Sequence, residues 1–103
     1  MDSFASAYSK AQQILVRWHA TPIQAKAILL SFQESTLERC SLIIEIDQSL
    51  KLAFNNFKNT NGFMTMENHN PYFEGRKPLD MIASGDIETM KAVADRVKFI
   101  HPY

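Results

Sequence analysis

The sequence predicts an all-α protein, and three features carry that prediction. Apolar residues recur at spacings of three and four over several long stretches, which is the pattern of one buried face on a helix. Residue types that cap helices stand at the start of these stretches. The stretch from Ser35 to about Phe57 contains neither Gly nor Pro. A small helical protein of N-terminal helices followed by a C-terminal helical domain is therefore expected.

The first two helices are predicted from apolar spacing and from capping. Helix one is expected from about Ser3 to His19. Its spaced apolar residues are Tyr8, Ala11, Ile14, Leu15 and Trp18. The segment Thr21–Gln24 predicts a new start, because threonine can cap, proline suits the first helical position and glutamine can return the capping bond. Helix two then runs to about Leu30.

A long central helix and a polar connector are predicted next. Ser35–Glu38 offers a second capping box, and the helix is expected to continue to about Phe57. Its buried stripe is predicted to be Ile43, Ile46, Leu50, Phe54 and Phe57. The segment Asn55–Gly62 is rich in asparagine and ends in glycine, so the helix should stop there. This connector divides the chain into an N-terminal region, 1–60, and a C-terminal domain, 61–103.

The C-terminal domain is predicted to hold short elements and one amphipathic helix. Phe63–Met66 can form a helical turn, and Pro71 marks a turn because it pushes the preceding residue out of helical geometry. Pro78–Ala83 should form a short helix that ends at Gly85, after which Asp86 caps the last helix. The apolar stripe of that helix is Ile87, Met90, Val93, Ala94, Val97 and Ile100.

Composition argues against several classes of function. The 11 basic and 11 acidic residues cancel, so no general attraction to phosphate is expected. Cys40 is the single cysteine, and the three histidines at 19, 69 and 101 are scattered, so no disulfide, metal site or cofactor is expected. No nucleophile and base stand at motif spacing, and no phosphate loop is visible. An enzyme is therefore not predicted.

A cytoplasmic location is predicted from the N-terminus and from the cysteine count. Asp2 stands where a signal peptide carries positive charge, and no apolar run approaches the ~18 residues that cross a bilayer. A single cysteine also suits a reducing compartment. Neither secretion nor a membrane span is expected.

The most specific pattern in the chain lies at 70–88. Its defining residues are Asn70, Phe73, Gly75, Pro78, Leu79, Asp80 and Gly85. Several have a local folding reason, since the two glycines permit positive φ and the proline starts a helix. The pattern nevertheless closely resembles the toxin-binding domain of Xre/MbcA/ParS antitoxins. The resemblance covers about Leu37 to Ile100.

The resemblance implies an antitoxin of a type II toxin–antitoxin system. Members of the family usually pair with a RES-domain toxin that consumes NAD and inhibit it sterically by covering its active site. A homodimer through the N-terminal helices is implied as well. The residues expected to meet the toxin are Tyr72, Phe73, Arg76, Lys77, Arg96, Lys98, His101 and Tyr103.

The N-terminal region departs from the family pattern where a helix-turn-helix unit is usual. Thr21–Leu30 resembles the first helix of that unit, and a recognition helix of ~8 residues or more should follow. Only 31–34 precede the next capping box, so that helix does not fit unless the long helix breaks near Cys40. Weak or absent DNA binding is therefore predicted. Two alternatives stay open: a DNA-binding autorepressor, and an orphan adaptor that binds another protein with the same fold.

Overall fold

Helices make up the regular secondary structure of the residues that the computed structural model describes, 4–30 and 34–100, and no strand occurs among them. The α-helices are α1 (Phe4–Arg17), α2 (Pro22–Leu29), α3 (Thr36–Ala53), α4 (Phe57–Gly62), α5 (Pro78–Ile82) and α6 (Ile87–Lys98). A 3₁₀ turn, Phe63–Thr65, follows α4 directly. The predicted all-α class is confirmed.

The core forms around α3, which packs against α1, α2, α4 and α6. One hydrophobic cluster takes side chains from both predicted regions. Trp18 and Ile43 contribute from the N-terminal region, and Met64, Phe73 and Val93 contribute from beyond residue 60. All five are at most 2% exposed. The described residues on the two sides of the predicted boundary therefore share one core.

Two helix starts have the predicted caps. The Thr21 hydroxyl accepts a hydrogen bond from the Gln24 backbone N–H at 3.1 Å, and the Gln24 side-chain oxygen accepts from the Thr21 N–H at 2.9 Å. At α6, the Asp86 carboxylate accepts from the Thr89 backbone N–H at 3.2 Å and from its hydroxyl at 2.7 Å. These bonds satisfy N–H groups that have no partner within the helix.

The capping box predicted at the start of α3 does not form. Ser35 stands at the N-cap with φ −84° and ψ 0°, not in the extended conformation of a cap, and its side chain caps no N–H. Its hydroxyl instead accepts a hydrogen bond from Arg39 Nε at 2.8 Å. The buried Thr36 hydroxyl donates to the Leu30 carbonyl. The Ser35 hydroxyl is thus engaged by a side chain one turn along α3, and the Thr36 hydroxyl links α3 to the end of α2.

The predicted end of α3 at Phe57 is also wrong, because the helix ends at Ala53. Phe54 has an extended backbone, with φ −122° and ψ 142°. The Asn56 side chain then accepts from the Asn59 N–H at 2.8 Å and caps α4. Phe57 is consequently the first residue of α4 and is 80% exposed, so it lies outside the buried stripe.

A buried cation joins three helices. Arg39, 6% exposed, donates from Nη1 to the Ile28 carbonyl near the end of α2 at 3.1 Å. The same nitrogen lies 3.6 Å from the Met90 sulfur on α6. Because the last carbonyls of a helix lack partners within it, this arginine supplies a donor that α2 needs.

A buried carboxylate joins α1 to α3. Asp47 is 3% exposed, and its Oδ2 accepts from Arg17 Nη2 at 2.7 Å and lies 3.2 Å from Lys51 Nζ. The Nη1 of Arg17 donates to the Asn61 side chain at 2.8 Å. The pairing therefore fixes the end of α1 against α3 and α4.

Candidate partner-binding surface

The motif region contains a tight turn, 68–76, that follows the 3₁₀ turn and precedes α5. The Asn68 N–H donates to the Arg76 carbonyl at 3.1 Å, and the Gly75 N–H donates to the Asn68 carbonyl at 2.7 Å, so the ends of the turn are joined. The Asn70 carbonyl accepts from the N–H groups of 73 and 74, both at 3.0 Å. Gly75 has φ 82°, a conformation that favours glycine, as the sequence predicts.

Arg76 serves first as a clamp on this turn. Its Nε donates to the Phe73 carbonyl at 2.9 Å, and its Nη2 donates to the Tyr72 carbonyl at 3.0 Å. The guanidinium is thus held by two main-chain acceptors. More than half of the side chain remains exposed. It is therefore a fixed cation at the surface.

Tyr72 and Arg96 join the turn to α6. The Arg96 guanidinium carbon lies 4.7 Å from the centroid of the Tyr72 ring, a cation–π distance. Arg96 comes from the last turn of α6, about three turns from the cap at Asp86. The contact places an exposed cation of α6 against Tyr72 of the turn.

Phe73 does not belong to this surface, although the sequence analysis expects it there. Its side chain is 2% exposed and meets the Tyr72 ring edge to face at 5.2 Å between centroids. The turn directs Phe73 into the core cluster and leaves its neighbour half-buried at the rim. The expectation of a direct contact by this phenylalanine is wrong, because its ring is buried in the core cluster.

An open groove of about 550 Å³ runs between the turn, α5 and the start of α6. Its lining includes the cations Arg76 and Lys77 and the carboxylates Glu67 and Asp80. Ser84 and Thr89 add aliphatic hydroxyls, and Tyr72 adds an aromatic ring with a phenolic hydroxyl. The groove can therefore receive a chain that carries both charges and hydrogen-bonding groups.

The predicted contact residues are only partly brought together. Tyr72, Arg76 and Lys77 line the groove. Arg96 lines a second depression with Asn70, Pro71 and Tyr72, so Tyr72 is shared by the two. Lys98 lies elsewhere: it lines a different depression with residues of α3, including Glu45, Gln48 and Leu52. His101 and Tyr103 lie outside the described residues.

The other motif residues act as folding devices. Pro78 starts α5, as predicted, and both Pro78 and Leu79 are buried. A Cβ on Gly85, which has φ 81°, would lie 3.0 Å from the Ala27 carbonyl oxygen of α2. This close approach ties the motif to the N-terminal region. Asp80 is exposed, and its carboxylate accepts from the Gln24 side chain at 3.4 Å.

Sequence reasoning missed Glu67, Ser84 and Thr89 as lining residues. Ser84 lies within the recognised pattern, but a serine between two helices is an ordinary turn residue. Glu67 stands before the pattern and comes beside it only because the ends of the turn are joined. No local sequence feature identifies Glu67 or Ser84 as a lining residue.

No group of three or more His, Cys, Asp or Glu side chains among 4–30 and 34–100 could hold a metal ion. Cys40 is fully buried, and burial raises the pKa of its thiol, which disfavours the reactive thiolate. Among these residues no helix is long and apolar enough to cross a membrane.

The long helix α3 runs unbroken through Cys40, where a separate recognition helix would need a break. Its exposed residues include Glu38 and Glu45, which would face phosphate unfavourably. Glu38 also pairs with Lys91 at 3.4 Å, and its hydrogen bond and charge raise the pKa of that lysine.

Comparison with known proteins adds no family assignment. No protein-family model, no curated protein and no solved structure matches this chain.

Proposed function

We propose that this chain is an antitoxin that binds a cognate toxin and blocks it sterically, without catalysis of its own. The observation that carries the proposal is the surface formed by Tyr72, Arg76, Lys77 and Arg96, hereafter the cationic rim. The residues of this rim lie in or beside the pattern that resembles Xre/MbcA/ParS antitoxins. Aromatic residues and arginine are enriched in the energetically important parts of protein interfaces.

The arrangement of the rim supports binding to a protein. Arg76 is held by two main-chain carbonyls and Arg96 is stacked on Tyr72, so both cations are ordered before a partner arrives. Side chains that are already ordered lose less conformational entropy on binding. A RES-domain, NAD-consuming toxin is the partner class proposed, on the strength of the sequence resemblance, and a cytoplasmic location belongs to the same proposal.

Co-expression with the neighbouring open reading frame tests this function. The chain should restore growth to cells in which the neighbour is toxic, and the two proteins should co-purify. A matched variant, Tyr72→Ala with Arg96→Ala, should lose both effects while retaining the helical circular dichroism of the wild type. A neighbour that is harmless alone and does not co-purify would overturn the proposal.

Homodimerisation through the N-terminal helices is part of the proposal. Val16 of α1 is 72% exposed and Ile23 of α2 is 82% exposed, so apolar side chains are available on these helices. Light scattering during size-exclusion chromatography should give twice the monomer mass of 11.8 kDa. A monomer at micromolar concentration would contradict the proposed dimer but not the proposed inhibition of the toxin.

DNA binding is the second candidate function, and it is disfavoured by the acidic residues exposed on α3 and by zero net charge. Retardation of the chain's own promoter fragment, weakening as salt rises, would support it. An orphan adaptor is the remaining alternative, and it would co-purify with a protein that does not arrest growth.

A further inference from the structure

We propose that the groove beside the cationic rim is a subsite for an acidic side chain, Asp or Glu, on an extended segment of the partner protein. This rests on the proposed function, because it names the chemistry that the partner presents to the same surface. The groove is the one lined by Arg76, Lys77 and Asp80. The carboxylate would be held by Arg76 and Lys77.

Arg76 provides a fixed donor for such a group. Its Nε and Nη2 are occupied by the carbonyls of Phe73 and Tyr72 at 2.9 and 3.0 Å. Nη1 makes no hydrogen bond to the described residues. The nearest carboxylate, that of Glu74, lies 3.9 Å from Nη2 and is too far for a hydrogen bond. An arginine fixed in this way offers its remaining N–H groups at a defined position, and carboxylate is a preferred acceptor.

Lys77 provides the second charge. It is exposed, lines the same groove and forms no ion pair with a described residue. Lys51 and Lys91 are paired instead, at 3.2 Å from Asp47 and 3.4 Å from Glu38. The other lysines form no ion pair with a described residue either, but none of them lines the groove. The ammonium group of Lys77 is therefore available to pair with a carboxylate of a partner.

The carboxylates of the groove favour a protein segment over a phosphate backbone. Glu67 and Asp80 line it together with the two cations, so the lining charges cancel. A polyanion would bring successive phosphates against these carboxylates, and like charges placed together are strongly unfavourable. A segment with one acidic side chain can meet Arg76 and Lys77 while its neutral or basic neighbours meet the carboxylates.

A peptide titration followed by NMR tests the subsite without knowledge of the toxin. The probe is an acetylated and amidated Gly-Gly-Glu-Gly-Gly peptide, and the control is the same peptide with glutamine in place of glutamate. The glutamate peptide should shift the backbone amides at 76, 77 and 80 with saturation, and the glutamine peptide should not. Lys77→Glu should weaken the interaction by at least ~10-fold. Lys10→Glu, on α1, which contributes no lining residue, should leave it unchanged.

The outcomes separate the two proposals. The absence of saturable shifts with the glutamate peptide, or equal shifts with both peptides, would overturn the subsite. Equal binding of inorganic phosphate would overturn it as well, because it would reveal a general anion site. If the glutamate peptide binds selectively but no toxin co-purifies, the subsite stands and the antitoxin function fails. If the toxin co-purifies as strongly with Lys77→Glu as with the wild type, the function stands and the subsite fails.

Discussion

At the scale of single residues, neighbouring Gly85 and Asp86 do different jobs in one turn. The glycine adopts φ 81° and approaches the backbone of α2, while the aspartate caps α6. One position is constrained by shape and the other by hydrogen bonding. Different substitutions therefore test each of them.

Replacing Gly85 by alanine should destabilise the protein by about 1–3 kcal/mol. The added Cβ would lie 3.0 Å from the Ala27 carbonyl oxygen, and the positive φ is unfavourable for an L side chain. Chemical denaturation measures the change. Gly62→Ala is the matched control, because that glycine lies in α4 with φ −90° and nothing stands within 4 Å of the new Cβ. Equal effects of the two substitutions would contradict the tight contact.

The cap at Asp86 should make stability depend on pH in the acid range. Hydrogen bonds from the Thr89 side chain and backbone lower the pKa of Asp86 below its ordinary value of 3.8. Because the pKa of Asp86 is lower in the folded than in the unfolded protein, its ionised carboxylate stabilises the fold fully when the pH is above the unfolded-state pKa. This stabilisation is lost as the pH falls through the folded-state pKa.

Asp86→Asn isolates this dependence, because asparagine is also a good N-cap but carries no titrating carboxyl. The difference in free energy of unfolding between wild type and variant should be constant near neutral pH. As the pH falls below about 4, the wild type should lose stability relative to the variant. Urea unfolding at a series of pH values measures it. A difference independent of pH down to the acid limit would contradict the lowered pKa.

At the scale of elements, buried Arg39 couples α2, α3 and α6. Its hydrogen bond to the Ile28 carbonyl joins α3 to α2, and the same nitrogen lies 3.6 Å from the Met90 sulfur of α6. The bond to the Ser35 hydroxyl, at the start of α3 itself, holds the side chain in place. Arg39→Ala should destabilise the fold by about 2–4 kcal/mol, from lost hydrogen bonds and an unfilled volume. Lys10→Ala, at an exposed position of α1, should change stability by less than ~0.5 kcal/mol. A loss as small as the control's would show that the arginine contributes nothing to the coupling.

The helix starts at Thr21 and Asp86 could be predicted from the sequence because a cap depends on residues only three apart. The end of α3 could not be, since apolar spacing continues to Phe57 while the Asn56 side chain caps a new helix. Ser35 has the right residue type for a cap, but its hydroxyl accepts a hydrogen bond from the buried Arg39 instead of capping a backbone N–H.

Within the candidate site, the sequence pattern located the turn but not the direction of its side chains. Phe73 and Tyr72 are adjacent aromatic residues, and only packing decides that the first enters the core and the second remains at the rim. Arg96 and Lys98 are two residues apart on a helix, so they point about 200° apart and reach different surfaces. Which of these basic residues adjoins Tyr72 depends on how α6 packs.

At the scale of the whole molecule, the shared core predicts cooperative unfolding. Trp18 from the N-terminal region and Val93 from the C-terminal domain belong to one hydrophobic cluster. Tryptophan fluorescence and far-ultraviolet circular dichroism should therefore follow one coincident denaturation curve. Two separated transitions would show that regions 1–60 and 61–103 fold independently.

Amide hydrogen exchange of the chain, alone and bound to its co-purified partner, tests the partner-binding surface most directly. Binding through the cationic rim should slow exchange across 68–77 and along α6 up to Arg96, and it should leave the exposed face of α1 near Lys10 unchanged. Protection confined to α1 and α2, with no change at 68–77, would show that the partner binds elsewhere and would contradict the proposed role of this surface.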